Sequence, residues 1–462
     1  MPSVKVPLGT ITFHPICDIN PRIMTPSARI RATEEALHFI LNAPIPMDGV
    51  VGDYFRSRRY IGSKDRGDIA ERLYTIMRHY GRLTWWTTRL NITPDARHLV
   101  ILHLALVEKH SAGDIAALYD GSQYGPKILT SDETSLVADI AGQDMCPADM
   151  PDFVRVECPA EHEPTLRAQY GNDFETAMTA FLSPATLDVR FNGLKCTRDQ
   201  AHASLTKDNV ETTETPFSPW GLRLHNKAFL SATNAFRHGL IDIQDEGSQL
   251  IAYVCGARPG QQVLDFCAGG GGKTLALGNA MRNKGRIVAM DTVPQRLEKA
   301  RLRLRRAGIA DIVELRPLSD EQHRKWLRRQ KETFDVVLTD VPCSGSGTWR
   351  RNPDSRWRNF GPSLEELIKT QAEILDRVAG TVKPGGHLVY ATCSQFASEN
   401  EDQVTAFLAR HPEFRVAPLP EIWPDDGGTP CPVERDSSPF MRLAPHTHQT
   451  DGFFAAVMIK KN

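Results

Sequence analysis

Residues 334–348 read FDVVLTDVPCSGSGT. The first half is a Val- and Leu-rich run, the composition of a strand buried on both faces. It stops at Asp340, Pro342 and a Gly/Ser loop, so a carboxylate (Asp340) and a thiol (Cys343) stand where a parallel strand ends. That is the edge at which open α/β sheets bind ligands. A second strand, 387–392, ends the same way, in Cys393 and Ser394.

The pattern continues upstream. Strand VLDFC (263–267) precedes the loop AGGGGKT and a helix to about Met281. Strand RIVAM ends in Asp291, a helix carries Leu297, Ala300 and Leu304, and IVEL (312–315) follows. A long helix is expected over 363–382, broken by Lys383-Pro384-Gly385-Gly386, and GFFAAVMIK (452–460) supplies a closing strand. Strands and helices alternating at this spacing predict an α/β domain over 241–462, with a parallel sheet covered on both sides.

A chain of 462 residues is expected to hold two or three domains. Residues 1–22 show no period and read as an irregular arm. Residues 23–145 read as helical: Ile69, Leu73, Ile76, Met77 and Tyr80 share one helix face, and Ile30, Leu37, Ile40 and Leu41 follow a Thr25-Pro26-Ser27 start signal. Four prolines between 146 and 165 predict a linker. Residues 166–240 read as a small α+β subdomain, with a half-exposed strand at Leu187, Val189 and Phe191.

A formal net charge of −1 confines any nucleic-acid surface to a local patch. Nine cysteines with no CxxC spacing argue against a zinc site and a disulfide scaffold, so no metal is expected and the thiols are expected to be reduced. The N-terminus lacks a signal-peptide pattern, and the most apolar stretch, Leu99–Val107, is too short to span a bilayer. A soluble cytoplasmic monomer is the expectation.

Gly269, Gly270, Gly271 and Gly272 follow a strand and open a helix, where backbone N–H groups are free. The loop is neither GxGxxG nor a P-loop, because Cys267 stands where the P-loop needs its first glycine. Asp291, ending the next strand, can accept hydrogen bonds from two ribose hydroxyls. Together they suit a nucleoside cofactor held by its sugar; alone the glycines would be a tight turn. Buried cysteines are more often inert small hydrophobes, the reading for Cys255 and Cys267. Cys343 and Cys393 differ because each ends a strand at the ligand edge, and a thiolate there is a candidate nucleophile. Thiolate addition to carbon 6 of cytosine makes carbon 5 nucleophilic toward a sulfonium methyl group. A second thiol can then assist release, and Asp340 can hydrogen-bond the base.

Residues 348–358, TWRRNPDSRWR, interleave four arginines with Trp349 and Trp357 and read as an RNA-facing loop, the alternative being a basic surface loop. The helix 296–306 and the cluster Arg56, Arg58, Arg59, Lys64 and Arg66 are further basic candidates, each equally a solvated surface.

VLDFCAGGGGKT, DVPCSGSGT, RRNPDSRW, VYATCS with ENE, and DGFFAA resemble the Nol/Nop/Sun RNA cytosine-C5 methyltransferases, the RsmB branch above all. The resemblance implies a class I S-adenosylmethionine-dependent, Rossmann-like domain. It implies Cys393 as nucleophile and Cys343 as the thiol assisting release. It also implies cofactor contacts from Cys267, Ala268, Gly269, Gly270, Gly271, Gly272, Lys273, Asp291 and Asp340. DVRFNGLK and IQDEGSQ resemble the family's RNA-facing subdomain, and the helical region its NusB-like RNA-binding domain. The implied cofactor is S-adenosyl-L-methionine and the implied partner RNA, with small-subunit rRNA first and tRNA second. Two departures stand out. Gly269-Gly270 replaces the usual Ala-Pro, and Leu318 stands near the usual third-strand acid, with Asp320 close by. A DNA cytosine-C5 methyltransferase is the rival enzyme, disfavoured by the cysteine after Thr392. An RNA-binding assembly factor without catalysis is the rival outside enzymes.

Overall fold

The computed structural model describes residues 24–226, 228–423, 429–433 and 438–462. The arm expected at 1–22 lies outside them. The chain divides into two units, one of residues up to 77 with 83–147, the other of 78–82 with 148–462.

The first unit is helical, as the 3.6-residue periodicity requires. Thr25 caps the helix Pro26–Asn42 through Ala28 N. The helix Ala96–Leu106 buries Leu99, Val100, Ile101, Leu102 and Leu104 completely and lies at the unit's centre. Of the five basic residues at 56–66, Arg56 pairs with Asp53, Arg58 with Glu35, and Arg66 donates to the Ile61 carbonyl. Arg59 and Lys64 are exposed.

The second unit holds two sheets. The small antiparallel sheet runs β2 (Thr212–Glu214), β3 (Gly221–Leu224), β1 (Asp188–Phe191), β4 (Ile241–Ile243). Its helix, Arg198–Lys207, is fixed by a capping box between Thr197 and Gln200. Two expectations are corrected. The subdomain does not stop at 240, because β4 pairs with β1. Nor is β1 half exposed: Asp188 and Arg190 are buried, held by Arg223 at 2.7 Å and by Gln244 at 2.9 Å. Alternation marks which face a side chain takes, and a paired charge can be buried on either face.

The large sheet is ordered β10 (Phe414–Val416), β12 (Phe453–Lys460), β9 (Val382–Thr392), β8 (Phe334–Asp340), β5 (Gln262–Asp265), β6 (Arg286–Asp291), β7 (Val313–Pro317), with β11 (Met441–Leu443) also on β12. Strands β5 to β9 are parallel, and β10, β11 and β12 add antiparallel edges. Starting at β5, the chain winds outward to β7, then returns to build β8 on the other side of β5. The switch point therefore lies between β5 and β8, where a ligand crevice is expected. Two buried clusters cover the faces, one around Leu264, Val337 and Leu388, the other around Val263, Val336 and Val389.

Residues 146–165 are not a free linker. They carry the helix Asp152–Arg155, and Val156 and Cys158 pack with Phe181, Trp349 and Phe396. The loop 348–358, expected as an RNA-facing surface, is in large part turned inward. Trp349, Arg350 and Arg356 are buried, Arg350 pairs with Asp451 at 3.0 Å, and Arg351 with Asp245 at 2.7 Å and with Asp451. These guanidinium groups serve as interior ties, because three carboxylate oxygens from distant segments meet them.

Replacing Asp451 by Ala leaves Arg350 buried without its partner. The second unit is expected to lose about 3–5 kcal/mol, read as a lowered urea midpoint of its unfolding transition. The triple change Asp451→Leu/Arg350→Met/Arg351→Leu is expected to recover part of that loss.

Candidate functional site

Strand β8 delivers Asp340 and, three residues on, Cys343; β9 delivers Cys393 directly after Thr392. The parallel register places Asp340 opposite Ala391, so both loops leave the sheet at one edge. The two sulfur atoms lie 3.4 Å apart. The hydrogen bond with Cys393, burial and the Glu399 carboxylate all hold the Cys343 thiol well above its ordinary range. Cys343 therefore keeps its proton and can direct it at the Cys393 sulfur. Gly347 sets the approach of the two loops: its N–H donates to the Cys393 carbonyl at 2.9 Å, and an added Cβ would meet the Gly452 carbonyl oxygen at 2.1 Å.

The dipeptide Glu399-Asn400 fixes both loops. Glu399 is fully buried; it accepts from Ser344 N at 2.9 Å, Ser344 Oγ at 2.6 Å and Gln371 Nε2 at 2.9 Å. Asn400 accepts from Thr392 Oγ1 at 2.6 Å and donates to the Ser394 carbonyl at 3.0 Å. The available signal was the ENE run, which begins five residues after Ser394 of the TCS turn. The helix behind it, Glu401–Arg410, begins after a short turn at Ala397–Glu399.

Across the switch point, Lys273 in the first turn after the glycine loop reaches Asp340, Nζ to Oδ2, at 2.6 Å. Burial works against the ammonium, but the Asp340 carboxylate outweighs it and raises the lysine, which stays charged. Asp291 accepts from Gly269 N at 2.9 Å and Val293 N at 2.7 Å, one bond to each oxygen. Each oxygen keeps a second lone-pair direction for a hydroxyl donor. Gly269 has φ +55° and open space where a Cβ would stand; Gly271, at φ +78°, caps the helix Gly272–Ala280 without a side-chain bond. Free N–H groups, room beside the loop and an acid at the next strand end fit a cofactor bound through its sugar. Ala268 is buried, its N–H on the Met290 carbonyl at 2.9 Å, and Cys267 packs against the core. Asp265, behind the loop, is fully buried; burial pushes its carboxyl up to about 7, against the bond from Thr274 Oγ1 at 2.7 Å.

The helix Pro294–Ala307 is only in part a basic face. Arg303 donates to the Gly270 carbonyl at 2.6 Å and to Asp242 at 2.6 Å, and Arg306 also holds Asp242. Arg303 thus ties the glycine loop to the small sheet, a role no spacing in the sequence announced. Leu318 is buried in the core, and Asp320 is spent on the N-terminus of the helix Glu321–Arg328, so neither Leu318 nor Asp320 supplies an acid at the end of β7.

Residues 252–459 match the family model described as 16S rRNA methyltransferase RsmB/F, and 164–230 the ferredoxin-like domain of the same group. Ribosomal RNA small subunit methyltransferase B of Salmonella typhi is 35% identical over 297 residues, 64% of this chain and 65% of the relative. The match thus spans under two thirds of such a relative's length. The crystal structure of PH0851 superposes with a TM-score of 0.72 at 27% identity, covering 96% of this chain and all of that one. That of NSun6 from Pyrococcus horikoshii with SFG, 20% identical, gives 0.56 over 66% of this chain and 98% of its own, a likeness of fold. Fold, matched domains and relatives agree: residues 252–459 are similar to the methyltransferase domain of the RsmB/F group and residues 164–230 to its ferredoxin-like domain.

Proposed function

We propose that this protein methylates carbon 5 of cytosine in RNA, small-subunit rRNA first, through a transient bond between Cys393 and carbon 6. The observation that carries the reading is the pair of thiols 3.4 Å apart at the edge that also presents Asp340 and Lys273. The methyl donor is S-adenosyl-L-methionine, which supplies an electrophilic methyl group when bound beside the glycine loop and Asp291.

The steps assigned to the chain are these. The Cys393 sulfur, as thiolate, bonds to carbon 6, and the electron pair of the 5,6 double bond becomes available at carbon 5, the atom that takes the methyl group. Asp340, with Lys273 on one carboxylate oxygen, offers the other to the cytosine amino group. The Lys273 ammonium stabilises the negative charge that addition spreads over the ring. The carbon-5 proton then leaves to water, the bond between carbon 6 and sulfur breaks, and its electron pair returns to Cys393. The protonated Cys343 thiol assists by hydrogen-bonding that leaving sulfur.

Cys343→Ala incubated with RNA and the methyl donor is expected to accumulate a covalent RNA–protein complex on denaturing gels. Cys393→Ala is expected to form none, and an adduct there would sink the assignment of roles. Arg303→Met frees the Gly270 carbonyl, and titration calorimetry is expected to show cofactor binding weakened about 3- to 10-fold. Stability should also depend on Asp265. Its folded pKa lies above the unfolded value, so its contribution is complete below about pH 4 and is lost as pH rises through about 7, by up to about 4 kcal/mol. Thermal melts of Asp265→Asn are expected to lack that part of the decline.

A further inference from the structure

A cavity of about 1080 Å³ opens at the other end of the parallel strands. It is lined where β8 and β9 begin, at Asp335 and Lys383–His387, and by the turn before β5. The thiols stand at the far ends of the same strands, about 20 Å away at 3.3 Å per residue. The cavity is therefore no part of the site above.

Its lining combines aromatic rings with cations. Phe191 and Trp220 come from the small subdomain and Tyr253 from the helix leading into the large sheet. Trp220 meets Tyr253 edge-on at 5.3 Å, which holds the half-exposed indole in place. Lys383 and Asp335 cancel each other at 2.7 Å. Arg258 and Arg282 are exposed, and among the described residues their guanidinium groups make no hydrogen bond or ion pair. Asn279 adds a buried side-chain oxygen without a hydrogen-bond partner. The cavity's net charge is thus positive. Its apolar walls are rings, and it holds an unused acceptor of the kind a base amino group satisfies.

We propose that this cavity binds an unpaired segment of the RNA substrate, its phosphates on Arg258 and Arg282 and a base against Trp220. Rings beside unpaired cations are the chemistry by which single strands are held. Unstacked bases are also what proteins read in RNA, since its paired major groove is too narrow for side chains. The inference rests on the RNA reading and extends it: the substrate is gripped at both ends of the strands.

The test is anisotropy of a labelled single-stranded oligoribonucleotide with the full chain and with Arg258→Gln/Arg282→Gln, across a salt series. Two lost phosphate contacts are expected to flatten the slope of log K against log salt by about 1.4, with weaker binding at low salt. Trp220→Leu is expected to weaken binding at least about fivefold with the salt slope kept. Unchanged cofactor affinity by calorimetry certifies the fold of each variant. A double variant that binds as the unaltered chain does, or that loses duplex RNA equally, overturns the cavity alone. An unaltered chain that binds no RNA overturns the RNA reading with it.

Discussion

The register between β8 and β9 is the constraint on which the rest depends. Phe334 pairs with Val382, but the next pairing is Val336 with His387, so β9 spends three extra residues in a bulge. Lys383-Pro384-Gly385-Gly386 forms it, with Gly385 at φ +71°. From there the pairing runs without a slip to Asp340 and Ala391. A shift of one residue would turn every side chain of β9 to the opposite face. Leu388 and Tyr390 would exchange places with Val389 and Ala391, which belong to the cluster on the other side of the sheet. Cys393 would leave Cys343 at the same stroke. The position of one sulfur is therefore secured by the burial of the strand that carries it.

Past the strand ends no sheet holds the loops, and a polar network takes over. Ser344, Ser346 and Ser394 hydroxyls lie within 3.2 Å of one another, Ser344 ends on Glu399, and Gln395 N donates to Ser346 Oγ at 2.8 Å. Nearly all of it is buried, where a satisfied network is strong and an unsatisfied one costly. Serines suit the task because a short hydroxyl both donates and accepts without filling space. The same loop carries Trp349 and Arg350, anchored to Asp451 and to the helices of residues 152–181. Those upstream helices thus belong to the support of the cysteine loop.

What could be read from residues was whatever repeats locally. Strands ending in Asp291, Asp340 and Thr392 showed through their apolar runs, and each lies where the residues placed it. A capping residue announced the helix at Thr25. What depends on a partner far along the chain did not show. The loop 348–358 looks basic because Asp245 and Asp451, which pair with Arg350 and Arg351, are about a hundred residues away. Proline density suggested a linker at 146–165, yet prolines also fit a chain laid over a core in short pieces, and Cys158 is buried there. Within the site, the glycine loop, Asp291, Asp340 and both thiols were legible, whereas Arg303 and the anchoring by Glu399 and Asn400 needed three dimensions.

The charges around the glycine loop give the last step. Asp265, Asp291 and Asp340 end three neighbouring strands, and Lys273 reaches into them, bonded to Asp340. Two of these carboxylates add to burial in raising Asp265, and Lys273 offsets only part of that. Such a ring has more negative charge than its own lysine cancels. A ligand bringing a positive charge to it is favoured over a neutral one of the same shape, because opposite charges strengthen each other where water is excluded. A sulfonium carries that charge and its demethylated product does not. On the proposed reading, in which Asp291 holds the sugar and Asp340 the base, these carboxylates also discriminate between the donor before and after transfer. They do so without any residue having to touch the sulfur.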